Sequence, residues 1–340
     1  MNVRCLVTLA AVAVLAGIAC ADEPPRSHAV REIWDPQTGT WVRQPPPEPG
    51  TPAGDLEIAK AALARGEVEA ARAMLAAWMT QYPDSPLRPQ ALFAQADVEL
   101  QAGEYLEAHR LYEALLDEYP GGELFDPAIK REIVIAEVFL AGKKRKLWKI
   151  FRVSAYDEAI DILDRIINER APRTELVEQA LKIKADYHFR QGDFEQAERE
   201  YARLAQEFPT GRYHPMALLL SAQAALASFP GTRFDDAALV EAEERFGDLK
   251  RRYPEMAERE GVDQILAGIR ERRAQKQYEI ARFYQRTGHP AAAGYHYRLI
   301  LRSWPDTTWG AQAEALLTQR PPPEPTPTAP APTTQPSAPQ

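Results

Sequence analysis

The sequence predicts an all-α fold, an α-solenoid of about six helical pairs with a proline-rich segment at each end. One observation is a proline that follows an aromatic or apolar residue and recurs at spacings of 37, 52, 37, 45 and 51 residues. Another is a set of small residues at fixed distances before these prolines. Periods of about 20 to 50 residues are typical of repeat architectures. The prolines are Pro83, Pro120, Pro172, Pro209, Pro254 and Pro305.

The small residues locate the helices within each repeat. A glycine lies 17 residues before four of the prolines, an alanine lies 12 residues before five, and a second alanine lies seven residues before each glycine. The glycines are Gly66, Gly103, Gly192 and Gly288. The alanines are Ala71, Ala108, Ala197, Ala242 and Ala293 in the first set, and Ala59, Ala96, Ala185 and Ala281 in the second.

This pattern predicts pairs of antiparallel helices. The glycine ends one helix and allows a tight turn, and the proline ends the next helix because it cannot continue one. The alanines fall where the two helices cross, since only a small side chain lets the backbones approach closely. A large residue then fills the space beside each crossing, at Leu75, Tyr112, Leu163, Tyr201, Phe246 and Tyr297.

The stretch RQGDFEQAEREYARLAQEFP, residues 190–209, has apolar residues at helical spacing and resembles the tetratricopeptide consensus. We therefore expect a tetratricopeptide-repeat solenoid over residues 55–319. The longer spacings require insertions of 15, 8 and 14 residues before Pro172, Pro254 and Pro305. The last of these insertions predicts one lengthened helix over residues 262–287.

Residues 1–19 are predicted to be a signal peptide, because a basic residue precedes an apolar run that is too short to span a bilayer. Residues 17–20, Gly-Ile-Ala-Cys, resemble a bacterial lipoprotein cleavage site, after which Cys20 would carry lipid. The alternative is cleavage after Ala21, which would release a soluble chain. We favour lipid on Cys20, since it is the only cysteine outside the signal.

Residues 20–54 and 320–340 are rich in proline and predict extended tethers without a packed core. Within the first tether, Trp34 and Trp41 flank a Pro-Gln-Thr-Gly turn, which predicts a small β-hairpin with a cross-strand aromatic pair. Two interpretations stay open: the indoles cover the apolar end of the solenoid, or they form a hook for a partner.

Composition and motifs argue against several classes of function. A formal net charge of −8 makes nucleic acid an unfavourable partner. The sequence has no phosphate-binding loop, zinc-protease motif or serine-hydrolase motif, and its six histidines lack a paired metal-ligand spacing. We expect a protein without catalytic activity, cofactor, metal ion or small-molecule substrate.

Residues 276–317, KQYEIARFYQRTGHPAAAGYHYRLILRSWPDTTWGAQAEALL, and the YPDSP of residues 82–86 resemble the BamD family of outer-membrane assembly lipoproteins. The resemblance includes the signal and Cys20 and covers most of residues 20–318. The chain departs from the family in its basic insertion after Gly142, its sixth repeat and its proline-rich tail.

The resemblance implies a non-catalytic scaffold held by lipid on the periplasmic face of the outer membrane. The implied partners are the periplasmic domains of the barrel-forming assembly protein, held by the carboxy-terminal repeats. Unfolded β-barrel clients would meet the amino-terminal repeats. A second hypothesis stays open, a soluble periplasmic tetratricopeptide adaptor that coordinates cell-wall synthesis or division.

A solenoid also offers a concave surface lined by the first helix of each pair, which suits an extended peptide or a partner helix. The alternative for the aromatic members is packing against neighbouring repeats alone. The residues predicted on this surface are Phe93, Asp97, Leu100, Lys182, Asp186, Phe189, Tyr278, Arg282 and Gln285.

The stretch KKRKLWKIFRV, residues 143–153, is strongly basic in an acidic chain. It would bind acidic lipid headgroups or an acidic patch on a partner. The alternative is a solvated face whose aromatic residues pack on the repeats. The residues of this basic patch are Lys143, Lys144, Arg145, Lys146, Trp148, Lys149 and Arg152.

Overall fold

The computed structural model describes residues 32–35, 39–43, 47–147, 151–170, 174–231 and 235–319. The predicted signal peptide, Cys20 and the whole proline-rich tail lie outside these residues. Within them, no helix combines the length and the apolar character that crossing a membrane requires.

The described residues form the predicted all-α solenoid of six helical pairs, in which the second helix of each pair contacts the first helix of the next. The first three pairs are α1 (Pro52–Ala64) with α2 (Val68–Gln81), α3 (Arg88–Ala102) with α4 (Tyr105–Glu118), and α5 (Phe125–Leu140) with α6 (Tyr156–Arg165). The next two are α7 (Glu175–Gln191) with α8 (Phe194–Glu207), and α9 (His214–Ser228) with α10 (Ala237–Arg252). A short α11 (Pro254–Arg259) precedes the sixth pair, α12 (Val262–Arg286) with α13 (Pro290–Ser303), and α14 (Thr308–Gln319) follows it.

The turn chemistry predicted for the repeats is confirmed. Gly66, Gly103, Gly192 and Gly288 have φ angles between 77° and 80°, a region that glycine enters without the strain a side chain would add. Five of the second helices end two residues before the repeated proline, and the residue between them is the C-cap. Residues 171–173, around Pro172, lie outside the described residues.

The helix crossings are also as predicted. All nine alanines of the pattern are buried, with at most 3% of their surface exposed. The six large residues beside the crossings are at most 4% exposed. The small residues are thus buried as a close crossing requires, and the large ones fill the adjoining core.

The three insertions have three different structures. The first holds an antiparallel hairpin of two short strands, Lys144–Leu147 and Phe151–Ser154, between α5 and α6. A π-helical turn, Ile166–Arg170, then extends α6. The second insertion falls in the connection of residues 229–236 between α9 and α10. The third supplies α11 and the long α12, which confirms the predicted lengthened helix.

Ahead of the solenoid, strands Glu32–Asp35 and Thr40–Arg43 form a second antiparallel hairpin. Trp34 and Trp41 are directly opposite each other in its register. The Trp34 side chain is 49% exposed, and both interpretations of the two indoles stay predictions.

The hydrophobic core is interrupted before the last repeat. One cluster packs α9 and α10 against the first half of α12, through Leu239, Phe246, Val262, Leu266 and Ile269 among others. A separate cluster packs the second half of α12 against α13 and α14, through Ala274, Ala281, Ala293, Tyr297, Ile300 and Ala313. The long α12 therefore joins two cores that do not merge.

Replacing Ala185, at the α7–α8 crossing, by leucine should destabilise the protein by about 1 to 3 kcal/mol, because the added methylenes force the two backbones apart. Ala70 on α2 is exposed, so Ala70→Leu serves as the matched control and should change stability by less than about 0.5 kcal/mol. Urea unfolding followed by circular dichroism measures both. Equal midpoints for the two variants would contradict the crossing geometry.

Candidate partner-binding surface

The predicted surface residues lie on the first helices α3, α7 and α12. First helices of neighbouring pairs contact each other at α1 with α3 and at α5 with α7, and α12 contacts α14 in the same way. Seven of the nine residues are half-buried, whereas Arg282 and Gln285 are exposed. A partner on this surface would therefore meet parts of these side chains rather than a flat exposed face.

A tyrosine of the second helix fixes an acidic residue of this surface in two of the pairs. The Tyr112 hydroxyl donates a hydrogen bond to Asp97 Oδ1 at 2.6 Å, and the Tyr201 hydroxyl donates one to Asp186 Oδ1 at 2.6 Å. Burial, and then the hydrogen bond to the carboxylate, raise the pKa of both tyrosines, so the hydroxyls stay protonated donors. The sequence carries a signal for these contacts, an aspartate 15 residues before the tyrosine in both repeats.

Each of these aspartates also faces a cation. Arg131 of α5 lies 2.8 Å from Asp97 Oδ1, and Lys182 lies 2.6 Å from Asp186 Oδ2. In the sixth pair Arg282 takes the aspartate's place in the repeat pattern, and Tyr297 donates instead to Gln285 Oε1 at 3.2 Å. The surface thus holds fixed pairs of opposite charge at α3 and α7, and a basic and an amide group at α12.

The aromatic residues of the surface pack against their own repeat while remaining partly exposed. Phe93 meets the edge of Tyr112 at 5.6 Å between ring centroids, and Phe189 meets Tyr201 at 6.3 Å. Tyr278 contacts both Tyr297, at 5.6 Å, and Trp309 of α14, at 5.0 Å. These contacts support the packing alternative for the buried part of each ring, and a partner could reach only the remainder.

A polar network between α4, α5 and α6 was not predicted from the sequence. His109 Nδ1 lies 2.5 Å from Glu132 Oε2, and the Glu132 side chain is only 1% exposed. Burial raises the pKa of Glu132 to about 7. Burial alone would lower the pKa of His109, but the hydrogen bond and charge of Glu132, aided by Glu113, raise it overall. The two groups therefore hold a proton between them near neutral pH.

The network continues from Glu113 to two arginines beyond α5. Glu113 forms ion pairs with Arg165 and, at 2.8 Å, with Arg170, which also lies 2.6 Å from Asp117. The contacts tie α4 to α6 and to the π-helical turn of the next repeat. No short sequence motif predicts these ion pairs, because the partners are 52 to 57 residues apart.

His109, Glu113 and Glu132 are also the group that could offer ligands to a metal ion, with one donor atom from each lying within 4.8 Å of the others. The guanidiniums of Arg165 and Arg170 already neutralise Glu113, and a cation would have to displace the His109–Glu132 contact. We therefore interpret this cluster as an ion-pair network that joins repeats.

Two cavities lie beside these contacts. A cavity of about 430 Å³ opens next to His109 and the α6 residues Ile162 and Arg165. A second, of about 550 Å³, lies between α7 and the α8–α9 connection. In its wall the buried Glu178 accepts the Tyr213 backbone N–H at 2.7 Å, which caps the start of α9. Glu178, in the wall of the second cavity, thus serves the fold.

The basic patch falls largely on the hairpin between α5 and α6. Its register pairs Lys144 with Ser154 and Lys146 with Arg152, while Trp148 and Lys149 lie outside the described residues. Lys143, just before the hairpin, places its Nζ 5.4 Å from the centroid of the Tyr105 ring. The binding role of this patch stays a prediction.

Comparison with known families gives two matches. The family described as YfiO, outer membrane lipoprotein, matches residues 148–320, which is just over half of the chain. A family described as tetratricopeptide repeat matches residues 56–123. No curated protein matches the chain.

The solved structures with similarity to this chain include two tetratricopeptide repeat proteins and PilF. The C-terminal part of a repeat protein from Cytophaga hutchinsonii has 12% identity and a TM-score of 0.39, covering 78% of this chain and 88% of that one. A tetratricopeptide repeat protein from Parabacteroides merdae has 12% identity and a TM-score of 0.35, covering 78% and 96%. PilF of Pseudomonas aeruginosa has 14% identity and a TM-score of 0.31, covering 78% and 97%. We take no functional conclusion from these similarities.

The shared proton of His109 and Glu132 predicts a specific pH dependence. Both folded pKa values lie above those of the unfolded chain, so their contribution to stability is fully present at acidic pH and is lost as pH rises through the folded values. Between about pH 5 and pH 8 the unfolding free energy should fall less steeply with pH in Glu132→Gln than in the unmodified protein. The difference in slope should be up to about 1.4 kcal/mol per pH unit.

Urea unfolding across that pH range measures the slope. Glu137 is exposed on the same helix, and Glu137→Gln should keep the slope of the unmodified protein. An unchanged slope in Glu132→Gln would contradict the shared proton. Glu113 and Asp117 also face the network, each in an ion pair with Arg170.

Proposed function

Because the chain belongs to the YfiO family of outer membrane lipoproteins, we propose that it is an anchored scaffold in the assembly of outer-membrane β-barrel proteins. It is a BamD-like tetratricopeptide protein, and such repeats typically act by binding other proteins rather than by catalysis. The family match over residues 148–320 is the observation that carries the proposal.

The carboxy-terminal repeats are the part that docks the barrel-forming assembly protein. The family match covers the second half of the third pair and everything that follows it, up to α14. On α12, Arg282 and Gln285 are exposed side chains on the predicted surface, so they are free to meet a polar or acidic partner. Their position beside the aromatic cluster of Tyr278, Tyr297 and Trp309 gives this contact a rigid base.

The amino-terminal repeats receive the unfolded client. On α3, Phe93 offers part of an aromatic ring, and the Arg131 guanidinium lies 6.0 Å from its centroid while Asp97 holds that arginine in place. An extended strand presents side chains alternately and leaves backbone groups unpaired at its edges. A half-exposed ring with fixed polar groups beside it suits such a chain.

Lipid on Cys20 holds the scaffold on the periplasmic leaflet of the outer membrane. The basic patch is the second contact of the scaffold, with acidic headgroups or an acidic partner, since lysine and arginine near a membrane surface are attracted to anionic lipids.

The anchor predicts the chemistry of the amino terminus. The intact mass of the processed chain purified from membranes should show acyl groups on Cys20, and Cys20→Ser should move the protein to the soluble fraction, because the side chain that carries the lipid is lost. An unmodified chain that begins at Asp22 would contradict the anchor and favour the soluble periplasmic adaptor.

The docking surface predicts the effect of a charge reversal. The full chain, isolated from membranes, should bring the barrel-forming protein with it, and Arg282→Glu should reduce the amount recovered by about tenfold, the loss of a contact worth about 1.4 kcal/mol. Arg272→Glu is the matched control, since Arg272 is exposed on the same helix outside the predicted surface. Recovery of cell-wall synthesis or division proteins without a barrel protein would contradict the proposal.

A further inference from the structure

A continuous set of rings, which we call the aromatic face, lies at the end of the sixth helical pair. Phe283 contacts Tyr284 at 5.7 Å between centroids, and Tyr284 stacks on His296 at 5.5 Å with an angle of 11° between the rings. Tyr295 meets the edge of His296 at 5.3 Å. Phe283 is 53% exposed and Tyr295 is 57% exposed, which makes them the two most exposed large apolar side chains among the described residues.

The length of α12 explains why this face has no repeat packed over it. Lys250 at the end of α10 pairs with Asp263 at the start of α12, and Asp236 at the start of α10 pairs with Lys276 at 3.0 Å. The two helices are therefore antiparallel, and α12 continues past the start of α10 for residues 277–286, about 15 Å. The end of the sixth pair thus extends beyond the fifth, which in a regular stack would cover it.

The rings of the aromatic face are uncharged, and charged side chains of both signs lie at its border. Burial lowers the pKa of His296, so its ring is neutral at pH 7 and stacks as an aromatic group. Arg286 is exposed one turn after Phe283, and Glu279 is exposed one turn before it. A fitting occupant is one that packs on aromatic rings and carries little charge, with an acidic group near one end.

The proline-rich tail begins level with this end of α12. Glu271 of α12 accepts the Thr308 backbone N–H of α14 at 2.7 Å, and Tyr278 contacts Trp309 at 5.0 Å. The two helices therefore run in the same direction, and because both rise about 1.5 Å per residue, Gln319 lies level with the end of α12. The tail therefore begins level with the end of α12, on the side that carries Tyr278, while Phe283 lies about 140° around the helix from that residue.

The composition of the tail matches the face. Residues 321–340 contain nine prolines, and Glu324, near their start, is the only charged residue among them. Proline-rich segments favour an extended helix that is already ordered and that docks on grooves lined with aromatic rings. At about 3.1 Å per residue, twenty residues reach about 60 Å, several times the distance across two helices.

We infer that residues 320–340 of this chain dock on the aromatic face of Phe283, Tyr284, Tyr295 and His296, with Glu324 beside Arg286. The short connection from Gln319 keeps the tail at an effective concentration on the order of 1 mM. A tail peptide that binds in trans with a Kd of about 0.3 mM would then be docked for about three quarters of the time in the intact chain. The tail acts as a covering segment for this face.

Hydroxyl-radical footprinting read by mass spectrometry tests the inference on the full processed chain. Phe283 and Tyr295 should be modified about fourfold more slowly in the full chain than in a chain that ends at Gln319, while Met74, 40% exposed on α2, should be modified equally in both. A chain of full length with the nine tail prolines replaced by serine should behave like the shortened chain. This variant separates docking of the prolines from the mere presence of a tail.

A second measurement titrates a synthetic peptide of residues 320–340 into the shortened chain. It should bind, and Phe283→Ser with Tyr295→Ser should weaken it at least tenfold, whereas Val240→Ser, at a side chain 41% exposed on α10, should leave it unchanged. Equal footprints in the full and shortened chains would overturn the inference. Protection of Phe283 and Tyr295 that persists in the shortened chain and rises with protein concentration would also overturn the inference. It would identify a second copy of the chain as the occupant.

Discussion

The close crossing of two helices over a pair of alanines is the constraint on which the rest of the structure depends. Ala96 with Ala108 and Ala185 with Ala197 are fully buried, and the glycine between them turns the chain back at a positive φ. Because the backbones approach at this point, the tyrosine one turn further along is brought against the first helix of its own pair. Its hydroxyl then reaches an aspartate on the candidate partner-binding surface.

That geometry gives the candidate surface its character. Asp97 and Asp186 each accept a hydrogen bond from a tyrosine hydroxyl and form an ion pair with a cation. Their side chains are therefore ordered before a partner binds. A surface organised in this way loses less conformational entropy on binding than one of mobile side chains. The same packing limits the area that a partner can contact, because part of each ring of Phe93, Phe189 and Tyr278 is buried against other side chains of the solenoid.

The departures from a regular repeat are where individual properties arise. An ordinary tetratricopeptide stack would cover the end of each pair with its neighbour, whereas the lengthened α12 carries the sixth pair past the fifth and leaves rings exposed. The insertion in the third pair adds a basic hairpin at the repeat where the buried network of Glu113 and Glu132 ties α4 to the following helices. In a repeat protein, stability is approximately a sum of such contacts between neighbours, so this network strengthens the junction that the insertion interrupts.

The sequence by itself determined the elements that local chemistry controls. Glycine at a left-handed turn, proline at a helix end and alanine at a crossing act through the backbone of their own repeat, so the six pairs and the long α12 could be read from spacing, as could the residues lining the first helices.

Only the tertiary structure decided which side chains meet across repeats. His109 and Glu132, or Glu113 and Arg170, lie on helices whose separation and rotation depend on how every intervening side chain packs, and the exposure of Phe283 depends on where α12 ends relative to α10. Such contacts follow from relative placement, which no local pattern encodes.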